Sequence, residues 1–156
     1  MIVDELHAFA LLIAANAVPV IVGKLAGDRA AQPLDFGRVM PDGERLLGSH
    51  KTWRGLISGI AACSLLAAYF GLPVGLGAGF AALSLLADAC SSAAKRRMKL
   101  KPGSEVLGLD QLAEALVPLL VFARPLELQL SEIVGVTAGF VVLDRATVGL
   151  RRRRWL

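Results

Sequence analysis

Leu83-Ser84-Leu85-Leu86-Ala87-Asp88-Ala89-Cys90-Ser91-Ser92-Ala93-Ala94-Lys95-Arg96-Arg97 begins as an apolar run and ends as a cluster of cations. In a helix each residue advances by about 100°, so Asp88, Ser92 and Lys95 fall within a narrow arc of one face. An acid, a hydroxyl and an amine at the end of an apolar helix are a costly combination. A charge at membrane depth costs about 2.5–3.5 kcal/mol on insertion scales, so it needs a partner or a chemical task. A short basic, glycine-containing loop follows, and Asp110-Gln111 then opens another apolar run. Two carboxylates separated by cations read as a metal and phosphate site.

The chain around this stretch is too apolar for a soluble domain. Of its 156 residues, 55% are hydrophobic and 19% charged, and the mean hydropathy is +0.60. These values point to an all-α polytopic membrane protein, one integral membrane domain over residues 1–156. Residues 1–7 lack the basic start of a cleavable signal and carry Asp4 and Glu5 instead. Cys63 and Cys90 lie in separate apolar runs without CxxC spacing, so neither a zinc site nor a disulfide framework is implied.

Five apolar runs, at about 6–22, 56–70, 72–94, 112–123 and 128–143, predict a bundle of five transmembrane helices. The fourth is short and is expected to start earlier, near residues 107–109. Asn16 and Pro19 interrupt the first run. Asn16 reads equally as helix–helix glue or as an active-site wall, and Pro19 removes a backbone hydrogen bond. Only Gly71 and its neighbours divide the second run from the third, which predicts a tight hairpin. Of the 17 lysines and arginines, 16 fall in residues 23–54, in residues 95–108 or beyond residue 143, and Arg124 alone falls elsewhere. Five crossings put those three segments on one side. The positive-inside rule makes that side cytoplasmic, with the N-terminus outside and the C-terminus inside.

Residues 23–54 form the longest polar segment, with turn signals at Pro33, Pro41 and Asp42-Gly43. Leu46, Leu47 and Trp53 suggest that part of it packs down, through a short interfacial helix. Gly43-Glu44-Arg45-Leu46-Leu47-Gly48-Ser49-His50-Lys51-Thr52 is not a P-loop, because two residues separate Gly48 from Lys51 and no strand precedes it. Its glycines and cations still suit an anion, although a basic membrane flank beside Trp53 has the same composition. Arg151–Arg154 with Trp155 reads as an anchor to anionic head groups.

Asn16-Ala17-Val18-Pro19, Pro33-Leu34-Asp35-Phe36-Gly37, Asp42-Gly43, Leu47-Gly48, His50-Lys51-Thr52-Trp53-Arg54-Gly55, Asp88 with Ser92-Ala93-Ala94-Lys95-Arg96-Arg97, and Asp110-Gln111 together resemble the archaeal CDP-archaeol synthases. These are CTP:2,3-di-O-geranylgeranylglycerol-1-phosphate cytidylyltransferases, related to CDP-diacylglycerol synthases. The resemblance covers nearly the whole chain. It implies five membrane helices, Mg²⁺, and transfer of CMP from CTP to 2,3-bis-O-(geranylgeranyl)-sn-glycerol 1-phosphate with release of pyrophosphate. The chain departs from the family's pattern after Asp110-Gln111, where position 113 is Ala and Glu114 follows.

On this resemblance the expected catalytic residues are Asp88, Asp110, Lys95 and Lys51, with Asp88 and Asp110 holding Mg²⁺. The nucleotide is expected on Lys24, Asp35, Gly37, Gly48, Lys51, Thr52, Arg54, Ser92, Lys95 and Arg96, in a site formed by loops 23–54 and 95–108. The lipid phosphate is already an anion and needs no strong base. The difficulty is bringing it to an anionic triphosphate, and cations answer it. The expected partners are CTP, an isoprenoid glycerol phosphate lipid and the bilayer, with no nucleic acid. A CDP-diacylglycerol synthase acting on ester lipids would use the same residues. A small transporter would place its charges at mid-membrane, whereas these cluster at one end.

Overall fold

The computed structural model describes residues 2–43, 45–47, 51–98 and 109–153, and side chains over 4–43, 45–47, 51–98 and 111–147. Five helices follow one another among the described residues: α1 (Ile2–Ala26), α2 (Trp53–Tyr69), α3 (Val74–Arg97), α4 (Leu109–Val121) and α5 (Leu130–Arg153). The fold is all-α. Two of the helices, α1 and α3, are long and apolar enough by length and composition to cross a membrane. The fifth helix outruns its apolar stretch, so Asp144, just past the run at 128–143, still stands on the helix.

Successive helices pack on each other, and α1 closes the bundle by touching α3 and α5. Ala8, Leu11, Leu12 and Ala15 form the buried stripe of α1, at the spacing of one helix face. They meet Cys63 of α2, Phe80 and Ala81 of α3, Leu119 of α4, and Ile133 and Phe140 of α5. The opposite faces are apolar and exposed: Ile57, Leu65, Tyr69, Leu86 and Val142 all point outward. An exterior of this kind suits hydrocarbon better than water.

Glycine brings α2 and α3 together. A Cβ on Gly77 would lie 2.2 Å from the Cys63 carbonyl oxygen and 2.7 Å from the Ala67 Cβ. Gly59 does the same for α1, seated against the Ala15 carbonyl oxygen, which Pro19 has no N–H to reach. Helix α1 nevertheless continues through Pro19 to Ala26.

The hairpin expected at Gly71 is present. Gly71 adopts φ +74°, its N–H donates to the Ala68 carbonyl, and the Leu72 N–H donates to the Ala67 carbonyl. This is a Schellman closure, in which a left-handed residue satisfies the last carbonyls of a helix. Pro73 then stands at the N-cap of α3.

Between α1 and α2 the described residues form turns and two isolated antiparallel bridges, Pro33–Thr52 and Val39–Arg45. The interfacial helix suggested by Leu46 and Leu47 is absent from the described residues. The carboxylate of Asp35 takes its place as organiser. Its side chain is fully buried and accepts from the Gly37 and Leu47 amides at 3.0 and 2.9 Å and from Arg45 Nη2 at 2.9 Å. A buried carboxylate with three donors gives the loop a core that its few apolar residues do not supply.

Gly77→Val should lower thermal stability by about 3 kcal/mol or prevent folding, because its branched side chain would meet backbone rather than a movable side chain. Gly75→Ala, with open space at its Cβ, should leave the melting temperature unchanged or raised. Melting curves of both purified variants check the pair.

Candidate active site

Helix α3 carries Asp88, Ser92 and Lys95 on one face, at the spacing read from the sequence. Asp88 Oδ2 accepts a hydrogen bond from Lys51 Nζ, which arrives from the loop 37 positions earlier. The Lys51 side chain is 24% exposed and that of Asp88 19%, so the pair is mostly withdrawn from water. Lys51 is delivered by the sheet-like contact beside it. The Leu34 N–H donates to the Lys51 carbonyl at 2.8 Å, and the Trp53 N–H donates to the Gln32 carbonyl at 3.0 Å.

The residues after Lys51 each serve a different element. Thr52 is the N-cap of α2, its backbone extended and its hydroxyl accepting from the Gly55 N–H at 3.2 Å. Trp53 packs beside Phe36, with ring centroids 6.1 Å apart. Arg54 Nη1 donates to the carbonyls of Gly27 and Arg29, just past the end of α1. A cation bonded to carbonyls at a helix C-terminus complements the helix dipole. Sequence reasoning expected Thr52 and Arg54 on the nucleotide, and the structure places both in helix-end contacts.

Asp35 and Gly37, also expected on the nucleotide, are turned into the loop. Gly37 holds φ +79°, and its amide is bonded to Asp35. Burial alone would raise the Asp35 carboxyl. The Leu47 and Gly37 amides and the Arg45 guanidinium outweigh it and hold the group below the usual carboxylate range.

Behind Asp88 lies a cavity of about 540 Å³, lined by α1, α3, α4 and α5. Its polar wall is Asn16, Lys24, Asp88, Glu114, Asp144 and Thr147, and its apolar wall includes Ile13, Val20, Ile21, Phe140 and Leu143. Asn16 does both jobs that its position suggested: its amide donates to the Ser84 hydroxyl of α3 and it lines the cavity. Lys24 sits at the rim, exposed at the end of α1. Lys95 and Arg96 are half-buried in the last turn of α3, and Ser92 is half-buried one turn after Asp88. Asp110 is the second residue of α4, but its side chain lies outside the described residues, as does Gly48 entirely.

Glu114 and Asp144 were missed as site residues. Glu114 is 9% exposed within the apolar part of α4, and it stands four positions, about one turn, after Asp110. Asp144 accepts from Gln111 Nε2 at 3.1 Å. Among the described residues no three His, Cys, Asp or Glu side chains come close enough to cage a metal. The cavity wall does offer the carboxylates of Asp88, Glu114 and Asp144, the hard oxygen donors of which Mg²⁺ takes one or two beside phosphate and water.

An apolar exterior around a cavity walled on one side by acids and Lys24 and on the other by apolar side chains defines a helical membrane protein with a charged internal site. Residues 2–79 match the CarS-like family, CDP-archaeol synthase. The CDP-archaeol synthase of Thermococcus onnurineus is 40% identical over 124 residues, spanning 72% of this chain and 69% of that protein. That of Pyrococcus furiosus is 36% identical over 121 residues, spanning 71% and 68%. A solved structure described as an intramembrane enzyme for archaeal membrane lipids biosynthesis superposes with a TM-score of 0.69 at 32% identity, over 88% of this chain and 90% of that one. The chain belongs to the CDP-archaeol synthase family and is a cytidylyltransferase of membrane-lipid synthesis.

The lowered carboxyl of Asp35 gives the loop an acid limit. A folded-state value below the unfolded one contributes stability above the unfolded value and loses it as pH falls through the folded one. Protease cleavage within residues 33–47 should therefore rise on acidification below about pH 4, the range where an unfolded aspartate titrates. In Asp35→Asn cleavage should already be fast at neutral pH and insensitive to acid over that range.

Proposed function

We propose that this chain transfers CMP from CTP to 2,3-bis-O-(geranylgeranyl)-sn-glycerol 1-phosphate in the presence of Mg²⁺, giving CDP-archaeol and pyrophosphate. The observation that carries this reading is the meeting of Lys51 with Asp88 at the edge of a cavity walled by both acids and apolar side chains. A nucleotide triphosphate needs the first feature, and a lipid phosphate with long chains needs the second. The names of the relatives support the choice of nucleotide and lipid.

In this reaction a lipid phosphate oxygen forms a bond to the α-phosphorus of CTP. The bond from that phosphorus to the bridging oxygen breaks, and pyrophosphate departs with the electron pair. Asp88 and Asp110 would hold Mg²⁺, which supplies positive charge to the triphosphate. Lys51 has a flexible stem and can leave Asp88 for a phosphate oxygen. Lys95 and Arg96 lie further along α3, where charge on the leaving pyrophosphate needs compensation. Ser92, between Asp88 and Lys95, offers a hydroxyl to a phosphate oxygen. Glu114 lines the same cavity one turn after Asp110, and belongs with the acids of the site.

Five crossings, with the N-terminus outside and the loops at 27–52 and after α3 in the cytoplasm, give CTP access to this end. The basic residues support that arrangement. In a Cys90→Ser background, Arg38→Cys should resist a membrane-impermeant maleimide applied to intact cells, and Gln129→Cys should react. The reverse pattern would invert the topology and deny CTP its route.

The decisive chemistry is in the acids. Asp88→Asn and Asp110→Asn should fold, keep their melting temperatures within a few degrees, and lose at least about 100-fold in CMP transfer, the scale of removing a ligand from a charged site. Glu127→Gln, at the α4–α5 turn, should match the parent. If Asp88 merely pairs with Lys51 to hold the bundle, Asp88→Asn instead lowers the melting temperature and keeps a normal Mg²⁺ dependence. Labelled CTP, lipid phosphate and extraction of the lipid product measure turnover on all three.

A further inference from the structure

Lys95, Arg96 and Arg97 form one basic run, and by sequence all three could serve phosphate. The structure separates the third. Arg97 Nη1 is bonded to Asp42 Oδ2 and Nη2 to the Arg45 carbonyl oxygen at 2.9 Å. These partners stand on two sides of the same loop. Asp42 lies in the turn closed by the Gly43 N–H on the Met40 carbonyl, and Arg45 lies on the return beside Val39.

We propose that Arg97 is a positioning residue that straps the 33–47 loop to the end of α3, setting the nucleotide side of the site before CTP arrives. The strap continues inward. Arg45 carries the contact to buried Asp35, and Asp35 holds the Leu47 amide. Leu34, next to Asp35, holds the carbonyl of Lys51. The end of α3 is thus connected to the placement of Lys51 by hydrogen bonds joined through Arg45 and through the Leu34–Asp35 peptide. The Arg97–Asp42 pair is about one-third exposed on each side, so alone it would be weak. The second bond to a carbonyl orients the guanidinium, and a planar fork suits two acceptors at once.

The consequence is a conformational one. A nucleotide that binds only the strapped loop loses apparent affinity in proportion to the fraction of loop that is unstrapped, while turnover at saturation is kept. The inference rests on CTP being the donor, and one of its two readouts does not.

The test uses the full chain in lipid nanodiscs, with Asp42→Ala, Arg97→Ala, the double variant, and the charge exchange Asp42→Arg with Arg97→Asp. Hydrogen exchange of residues 33–47 is measured without substrate, and KM for CTP and kcat are measured with it. Arg97→Ala should speed loop exchange and raise KM about tenfold with kcat within about twofold, and Asp42→Ala should raise KM about threefold. The double variant should be no worse than Arg97→Ala, and the exchange should recover loop protection and part of the KM. A collapse of kcat in Arg97→Ala with unchanged loop protection and a silent Asp42→Ala would make Arg97 a phosphate ligand and overturn the strap. Unchanged loop protection and KM in both single variants would overturn it as well. If the parent protein moved no CMP, the donor reading would fail, and loop exchange would still judge the strap.

Discussion

An ammonium and a carboxylate lie together at the edge of an apolar bundle, and the rest of the chain is arranged around holding them there. Both side chains are mostly withdrawn from water but keep about a fifth of their surface in it, and the charge of each offsets part of the desolvation of the other. The pair is therefore a constraint on both sides of the molecule. It requires α3 to present Asp88 inward, and it requires a polar loop to bring Lys51 down onto the helix. An ion pair of this kind is weak evidence for stability. It is a good resting state for a site whose substrate carries negative charge, since the lysine has somewhere to be until a phosphate replaces the carboxylate.

Two devices make the meeting possible. Within the bundle, Gly59 and Gly77 let α2 approach α1 and α3 at backbone distance, which brings the start of α2, and so Lys51, next to α3. At the end of the bundle, Thr52 and Arg54 tie that start to the helices on either side of the turn. In the proposed reaction, a substitution at either residue acts through the position of Lys51. The block from Lys51 to Gly55 looks from its composition like a phosphate-binding motif. Only its first residue reaches an acid of the cavity, and the other four build the corner that aims it.

The apolar runs were legible because each is a long stretch of one chemistry, and the hairpin because Gly71 is flanked by nothing charged. The face of Asp88, Ser92 and Lys95 was legible because helical spacing fixes it whatever surrounds the helix. Three things were hidden. The inward turn of Asp35 depends on Leu47, twelve residues away, and no local pattern announces that contact. Arg54 reads as a surface cation until the end of α1 is known to lie beside it. Asp144 falls just past the fifth apolar run, because hydropathy drops where the helix itself does not end. Glu114 stood in plain view as an acid inside an apolar run, and its spacing from Asp110 is the signal that would have placed it in the site.

Five of the basic residues divide by chemistry. Arg45, Arg54 and Arg97 are bonded to carboxylates and carbonyls of the protein itself, whereas Lys24 and Lys51 stand at the cavity or on its acid. The division follows from the side chains. A guanidinium is planar, always charged and rigid enough to hold two acceptors in fixed directions, which is what a loop with a small apolar core requires. An ammonium is a point charge on a flexible stem, and it can exchange one anion for another without unmaking a fork of hydrogen bonds. In the proposed reaction the charge on the phosphates moves from the α-phosphorus toward the leaving pyrophosphate. Groups that follow that movement must be able to shift, and groups that hold the loop must not. Exchanging the two kinds of cation would therefore fail in opposite ways. Lysine at Arg97 would keep the charge and loosen the loop, and arginine at Lys51 would keep the pairing with Asp88 and resist giving it up.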